Sequence, residues 1–498
     1  MSNNKENVNV TLTLTSKNSW KRIPLPELDD QEHFTGYVTE TLAPNSVIGM
    51  LDMDAFEVQI YLKSKLGAEN WREIYLTTPC LLADPVTDRI ISVNHLAKLK
   101  GISRDDVIGT GLKKCPEIRV IRKDVRFSKP ENWNLRHSSW TVLDTILKYR
   151  KETGKHFIVE YASNDEYYFD LTLEIDRLVD TVTVENIEKF LTERVLRMKK
   201  TFVELRNETL DDWSSILKIL QKEIFLSNII DKPLTLLRLI LGCTILHEIK
   251  EFIFTETNFE ASGGISCNKL LTKLACPLHK PGGITILPGE GFIKISGNIP
   301  IEKLPSLGGD RGKKLSDAVG EVMLTIRDLA TLPLSKIMEG TDFPLGEVIM
   351  LRKLARGRSD DAVVEKLMKL SATVGRANLK GLRFYRTKMI REVLSTLTEE
   401  LIERLNEEEE RHKRIPDHVK VGLSYIFLPR KEEDRGKAPL SQRFAYTIDT
   451  EKVSEWTKKN EKELVDKILT EFFASVKGQG EGIIVKISYS VRAFRKLV

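Results

Sequence analysis

From residue 46 the hydrophobic pattern becomes organised. The run Val47 to Leu51 is unbroken apolar sequence that turns into alternating Asp52-Met53-Asp54, which predicts a buried strand ending in carboxylates. PCLLAD (79–84) and IISV (90–93) predict short strands, and HLAKLKGISRDDVIGTGLKKCPEI (95–118) predicts two helices split by Gly101 and Gly109. WTVLDTILKYRKETG (140–154) is a helical pattern, HFIVEYAS (156–163) a strand, and YASNDEYYFDLT (161–172) a hairpin with Asp165 and Glu166 at its turn. Thr183 to Arg206 reads as helix, with Ile187, Phe190, Leu191, Val195 and Leu196 on one stripe.

PLTLLRLILGCTILHEI (233–249) is apolar on all sides, interrupted by Arg238 and short for a membrane span, so a buried helix is expected. FEASGGISCNKLLTKLACPLHKPGGITIL (259–287) gives a Gly-rich lead-in, a helix with Lys269, Lys273 and Lys280, and a Pro-Gly-Gly exit. IPIEKLPSLGGDRGKKL (299–315) predicts helix, Gly-Gly hairpin, helix. The last domain is the clearest. NLKGLRF is a strand candidate, RTKMIREVLSTLTEELIERLNEEEERHK a long amphipathic helix, and HVKVGLSYIF and RFAYTID are strands. Val453–Phe473 is a second helix and GIIVKISYSV a last strand, giving the order βαββαβ with one sheet face under helices and one face free.

Composition adds limits. A chain of 498 residues exceeds one core and predicts several domains. Hydrophobic content of 41% and charged content of 30% are ordinary for a globular protein. The net charge of +5 is uneven: residues 375–498 hold 26 Lys/Arg against 20 Asp/Glu, a net of +6, which leaves about −1 for the remainder and biases the last quarter toward a polyanion. Five cysteines without a CxxC pair support neither a disulfide framework nor a structural zinc site, and fit a reducing compartment. MSNNKENVNV lacks a signal-peptide pattern, and residues 1–43 read as a polar extension.

Three carboxylates, Asp52, Asp165 and Glu166, fall at strand ends instead of helix faces. If their strands are neighbours they converge, and such a cluster is destabilised by repulsion unless hard divalent cations such as Mg2+ fill it, the arrangement of two-metal phosphoryl transfer. Taken alone, Ser163–Glu166 is equally well a polar hairpin turn.

LDMDAFEVQI (51–60), YASNDEYYFDLT, GGISCNKLLTKLACPLHKP (263–281) and IPIEKLPSLGGDRGKKL resemble, in the same order, the signature segments of the Y-family translesion DNA polymerases, and its eta-like branch most of all. The resemblance spans nearly all of 46–498. It implies that Asp52, Asp165 and Glu166 are catalytic and bind two Mg2+ ions, for which Mn2+ could substitute, with the Met53 carbonyl completing one site. It also implies that Lys280 touches the incoming triphosphate. His95 and Lys98 fall where the family places a tyrosine and an arginine on the same phosphates, and Arg104 where an arginine reaches the nucleobase. Phe56 and Glu57 stand where nucleotide and sugar are met. Leu307-Gly308-Gly309 matches a thumb hairpin that meets DNA phosphate.

The chain departs from the family at Glu57, where a bulky aromatic normally excludes the ribose 2′-hydroxyl, at His95 and Lys98, which are weaker phosphate ligands, and at Asp84, where eta-like members place a glutamine. The implied fold is an α/β (α+β) multidomain right hand. It would have a ferredoxin-like palm (44–54 and 131–283), small fingers (55–130), a helical thumb with a helix-hairpin-helix (284–358), a linker (359–372) and a βαββαβ little finger (373–498). The implied function is nuclear translesion synthesis on primer–template DNA with dNTPs, with a sliding clamp as a partner through regions outside this chain and no membrane. The alternative is a weakly active or inactive DNA-binding scaffold. RHKR (411–414) reads as a helix end and not as a nuclear signal.

Overall fold

The apolar run before Asp52 forms β1 (Ile48–Met53), and every residue of it is buried except Asp52, which is half-buried. The computed structural model describes residues 45–498 apart from 105, 127–128, 184–185, 188, 190–197, 199, 206–207, 231–233, 321–323, 369–371, 378, 380–381, 429–440, 450–457, 492–493 and 497–498. After β1 come α1 (Phe56–Thr77), β2 (Cys80–Ala83), β3 (Ile90–Val93), α2 (His95–Leu99), α3 (Ile108–Lys114), β4 (Arg119–Arg122) and α4 (Trp133–Thr153). The hairpin β5 (Ile158–Tyr161) and β6 (Glu166–Asp170) follows, then α5 (Thr172–Val179), β7 (Thr201–Glu204), β8 (Thr209–Leu210), α6 (Trp213–Ile230) and α7 (Thr235–Thr257). β9 (Ala261–Ser266), α8 (Lys269–Ala275), β10 (Ile284–Ile286) and α9 (Gly289–Ser296) complete this part.

Seven strands form one mixed sheet in the order β8-β7-β10-β9-β1-β6-β5, with β1 antiparallel to both β9 and β6. The apolar helix α7 lies against one face. A Cβ on its Gly242 would fall 2.4 Å from Val47 Cγ1, so only glycine permits this approach. On the other face, a Cβ on Gly264 of β9 would fall 2.4 Å from the Thr272 carbonyl oxygen of α8. The glycines at 263–264 therefore sit inside a strand and not in a lead-in loop: the backbone of α8 rests on Gly264, and Leu246 of α7 on Gly263. A second, three-stranded sheet, β3-β2-β4, carries α2 and α3. Gly109 lies within α3 instead of dividing two helices, since α3 starts at Ile108.

Of the expected helix 183–206, residues 190–197 lie outside the described residues. Thr201–Glu204 is a strand instead, because its β-branched and aromatic residues add parallel to β10. In 299–315 the first helical limb is only a 3-10 turn, Ile301–Lys303, set between prolines Pro300 and Pro305. The second limb is α10 (Asp310–Val319), and α11 (Ile326–Thr331), α12 (Leu334–Gly340) and α13 (Leu345–Ala355) follow around a core of Leu307, Leu315, Leu329, Ile337 and Leu351. Up to Leu367 the chain after α13 is held along β5: Lys366 N donates to Val159 O (3.0 Å) and Tyr161 N to Lys366 O (2.7 Å).

The chain divides into two compact units, one of residues 1–83, 88–122 and 133–367, the other of 84–87, 123–132 and 368–498. In the second, β11 (Ala372–Ala377), α14 (Thr387–His412), β12 (His418–Phe427), β13 (Ser441–Asp449), α15 (Lys458–Val476) and β14 (Gly482–Val491) reproduce the expected element order. Its first strand lies upstream of NLKGLRF, which falls partly outside the described residues. The RHKR segment does end α14, at His412. The sheet order is β11-β14-β12-β13, so the last strand is central. Val421, Leu423, Ile487 and Tyr489 point under the helices onto Leu394, Leu401 and Phe472. Cross-strand register puts Thr373, Gly375, Lys420, Gly422, Ser424, Arg443, Lys486, Ser488 and Ser490 together on the opposite face, which is therefore small, polar and basic.

Candidate nucleotidyl-transfer site

β1 and β6 pair so that Asp52 stands directly opposite Glu166 and, on its other side, opposite Ser262 of β9. Met53 N donates to Asp165 O at 2.9 Å, so register alone brings the three sequence-predicted carboxylates to the same end of two central strands. The turn between β5 and β6 is held from beneath. Ala162 N and Ser163 N donate to Glu166 O (3.0 and 3.2 Å), Tyr161 Oη donates to Asn164 Oδ1 (3.1 Å), and Tyr167 Oη donates to Ser139 O (2.8 Å). Ser163 Oγ donates to Asp165 Oδ1 at 2.5 Å. The aromatic residues around the acidic turn thus act as its buried footing.

Lysines meet these acids. Lys280 Nζ lies 2.5 Å from Asp52 Oδ1, and Lys273 Nζ 3.0 Å from both Glu166 oxygens. Burial pushes the Asp52 carboxyl above its ordinary range against the opposing pull of Lys280. Burial alone would lower the Lys280 ammonium, but Asp52 and Asp54 outweigh it and hold it above the usual lysine value. Lys280 leaves α8 and follows it in the turn, because α8 ends at Ala275.

Asp54, which the sequence reading passed over, is 3% exposed. Ser262 Oγ donates to its two oxygens (2.8 and 2.7 Å), Gly282 N donates to Oδ2 (2.8 Å), and Lys280 Nζ stands 3.5 Å away. Its carbonyl accepts from Gln59 Nε2 (2.5 Å) and Tyr75 Oη (2.9 Å). The next residue, Ala55, has φ +46°, a left-handed backbone that costs a residue with a Cβ about 1–2 kcal/mol. A carboxylate placed two positions after the first catalytic candidate was a visible signal, but its burial came only from β9 and the 280–282 turn.

His95 and Lys98 ride on α2, which Asn94 locks in place: its Oδ1 accepts from Ala97 N (3.0 Å) and Cys80 N (2.9 Å), and its Nδ2 donates to Tyr75 O (2.9 Å) and Thr78 O (2.8 Å). Lys98 is lowered by burial, then by the neighbouring charges of Lys280 and Arg104, while Asp54 and Asp52 pull the other way. His95 is lowered by burial and then by Lys98 and Lys200. These mutual effects bring Lys98, Arg104, Lys280 and His95 into one basic group beside the acids. Phe56 is set apart from it: the ring is 3% exposed and packs edge-on to Phe259 at 5.1 Å. Glu57 occupies the first turn of α1 and is half-buried. Leu307 is fully buried, whereas Gly308 and Gly309 open outward with nothing within 4 Å of a built Cβ, Gly309 taking φ +67° and ψ −135° at the start of α10.

Carboxylate oxygens and a backbone carbonyl are the hard donors that Mg2+ takes, and strand register fits them to one place. The Asp52 and Glu166 side chains, however, are turned to lysines and Asp165 to Ser163 Oγ, and among the described residues no three His, Cys, Asp or Glu side chains stand in a metal-holding arrangement. Two ammonium groups supply the positive charge there, so loading of a cation requires Lys280 and Lys273 to swing off Asp52 and Glu166.

Residues 51–277 match the impB/mucB/samB family. The chain is 29% identical to DNA polymerase eta of Arabidopsis thaliana over 396 residues, covering 79% of this chain and 55% of that protein. It is 24% identical to DNA polymerase eta of Drosophila melanogaster over 402 residues, covering 75% and 42%. To DNA polymerase IV of Clostridioides difficile it is 27% identical over 176 residues, covering 35% and 46%. The chain spans about half the length of these relatives. The segment that matches the impB/mucB/samB family thus carries Asp52 and Glu166 on paired central strands with Asp165 at the adjoining turn, and over most of its length the chain is similar to eta polymerases.

Proposed function

We propose that the chain is a DNA-directed DNA polymerase that extends a primer opposite damaged template bases. The observation that carries this reading is the Asp52–Glu166 register with Asp165 alongside, set against the basic group of Lys98, Arg104 and Lys280. Acids and bases side by side suit a substrate that brings cations and a polyphosphate together. Asp52, Asp165, Glu166 and the Met53 carbonyl would hold two Mg2+ ions, or Mn2+ in their place. Bound there, such ions acidify the primer 3′-hydroxyl and neutralise the departing pyrophosphate. Lys280, Lys98 and His95 bind and orient the triphosphate, Arg104 reaches toward the base, and Phe56 backs Glu57 at the sugar. Glu57 has less bulk than an aromatic ring and carries charge, so it sets how strictly ribose is refused.

In this reading the palm is 44–54 and 131–283, the fingers 55–130, the thumb 284–358 and the little finger 373–498, joined by 359–372. Gly308 and Gly309 offer backbone N–H groups to a DNA phosphate, and the small, basic sheet face bearing Lys420, Arg443 and Lys486 lets a sugar–phosphate backbone approach closely. Primer–template DNA and dNTPs are the substrates, the nucleus the compartment, and a sliding clamp a partner through regions outside this chain. Among the described residues no helix is long and apolar enough to cross a membrane.

A DNA-binding scaffold is the second reading, favoured by the lysines that already neutralise Asp52 and Glu166. Primer extension in Mg2+ on undamaged and thymine-dimer templates, with dNTPs and rNTPs in parallel, decides between them. The Asp165→Ala, Glu166→Ala variant must lose extension while still binding DNA. Extension that survives in this variant sinks the polymerase reading, and DNA binding without any extension by the parent chain establishes the scaffold.

A further inference from the structure

A further cation, Lys200, stands beside the 280–282 turn that carries Lys280. Lys200 sits immediately before β7, and its carbonyl accepts from Ile284 N (3.0 Å), which fixes its backbone to the strand that follows the 280–282 turn. Its side chain is exposed and reaches back over that turn: a Cβ built on Gly282 would lie 3.7 Å from Lys200 Nζ. Gly282 N is bonded to Asp54, and Lys280 of the same turn to Asp52, so the Lys200 ammonium stands at the rim of the acid–base group. The His95 imidazole, lowered first by burial, is lowered further by Lys98 and Lys200, so the Lys200 charge is felt at α2 as well. Its backbone is left-handed, with φ +56°, a conformation for which glycine is the unstrained residue. An exposed lysine held at strain beside these cations and acids is better accounted for by a ligand than by packing.

We propose that Lys200 is a further triphosphate-binding residue, standing on the outer side of the group of Lys280, Lys98 and His95. The inference rests on the polymerase reading and adds a contact to it. The ligand class is an inorganic or nucleoside polyphosphate, met by Lys200 as a point charge on the outermost phosphates.

The test is calorimetric titration of inorganic tripolyphosphate in Mg2+ into the full chain and its Lys200→Ala, Lys200→Gly and Lys200→Arg variants. One exposed charge contact corresponds to about two- to fivefold in affinity, so the Ala and Gly variants should bind that much more weakly and the Arg variant close to the parent. Lys200→Gly separates ligand binding from structure: it relieves the left-handed strain and should melt no earlier than the parent while still losing affinity. In single-nucleotide extension, KM for dNTP should rise by the same factor, with kcat and the Kd for primer–template unchanged. Equal affinity in all four proteins overturns the inference, as does a parent chain that binds no tripolyphosphate, or a loss that follows the melting temperature or the DNA affinity. A parent that extends no primer removes the polymerase reading, and the tripolyphosphate titration then still decides Lys200.

Discussion

Replacing Asp54 tests whether the acid–base group is built as described. Its carboxylate is 3% exposed, shares the one Ser262 hydroxyl proton between its two oxygens, accepts a bond from Gly282 N, and faces Lys280 Nζ at 3.5 Å. At an effective dielectric constant of about 20, the Coulomb attraction to Lys280 alone is about 5 kcal/mol, most of it offset by the cost of taking both charges out of water. Lys280 keeps Asp52 as a partner when Asp54 loses its charge, so the cation is not orphaned. What remains is the loss of charge-assisted bonds to Ser262 and Gly282 and the placing of an amide donor against donors, about 2–3 kcal/mol together for Asp54→Asn. Urea unfolding gives this as a shift in midpoint at constant slope, and hydrogen exchange should show the Gly282 amide losing protection first. Because the 280–282 turn carries Lys280, KM for dNTP should rise about tenfold. Stability within about 0.5 kcal/mol of the parent and an unchanged Gly282 amide would refute the reasoning.

Gly264→Ala should destabilise by about 3 kcal/mol or more, since its Cβ would meet Thr272 O at 2.4 Å and Cys276 N at 2.7 Å, both rigid backbone; thermal or urea unfolding reads this directly. His247 is 6% exposed on α7, and burial lowers its pKa first, Lys250 second, with Glu251 and Glu248 opposing. The unfolded chain therefore takes up the proton more readily, so stability present above about pH 6.5 is lost as pH falls through that value, and His247→Gln should flatten this part of the unfolding profile. Asp165→Ala, Glu166→Ala should abolish extension yet leave the melting temperature nearly unchanged, because the lost Glu166–Lys273 pair is half-exposed and worth little, and the turn's footing of Tyr161, Tyr167 and Ser139 stays intact.

The basic, small-residue face of the second unit and the exposed glycines before α10 have a common physical logic. A DNA backbone needs positive charge and room to approach, and both places supply N–H groups or cations with no bulky side chain in the way. On the sheet, Gly422 leaves the Arg443 guanidinium 3.1 Å from where its Cβ would be, so the cation lies flat across the strand.

Much of this protein was legible along the chain. Local periodicity sufficed for β1, for α7 and for the order βαββαβ, though not for the place of its first strand, because those elements bury a continuous apolar run or one face, and burial writes period directly into sequence. The acids at 52, 165 and 166 were legible as candidates for a related reason, since carboxylates at strand ends are costly wherever strands meet; that they stand together came from the β1–β6 register. Tertiary structure alone decided what depends on distant partners. Thr201–Glu204 became a strand because β10 offered an edge, the glycines of β9 became strand interior because α8 presses on them, and the last strand of the second unit took the centre of its sheet. Asp54, Asn94 and Lys200 gained their roles in the same way, through contacts to residues about 15 to 230 positions away that no window of sequence contains. Short-range pattern reports what a residue buries, whereas which charges share one pocket is fixed only when the strands have chosen their neighbours.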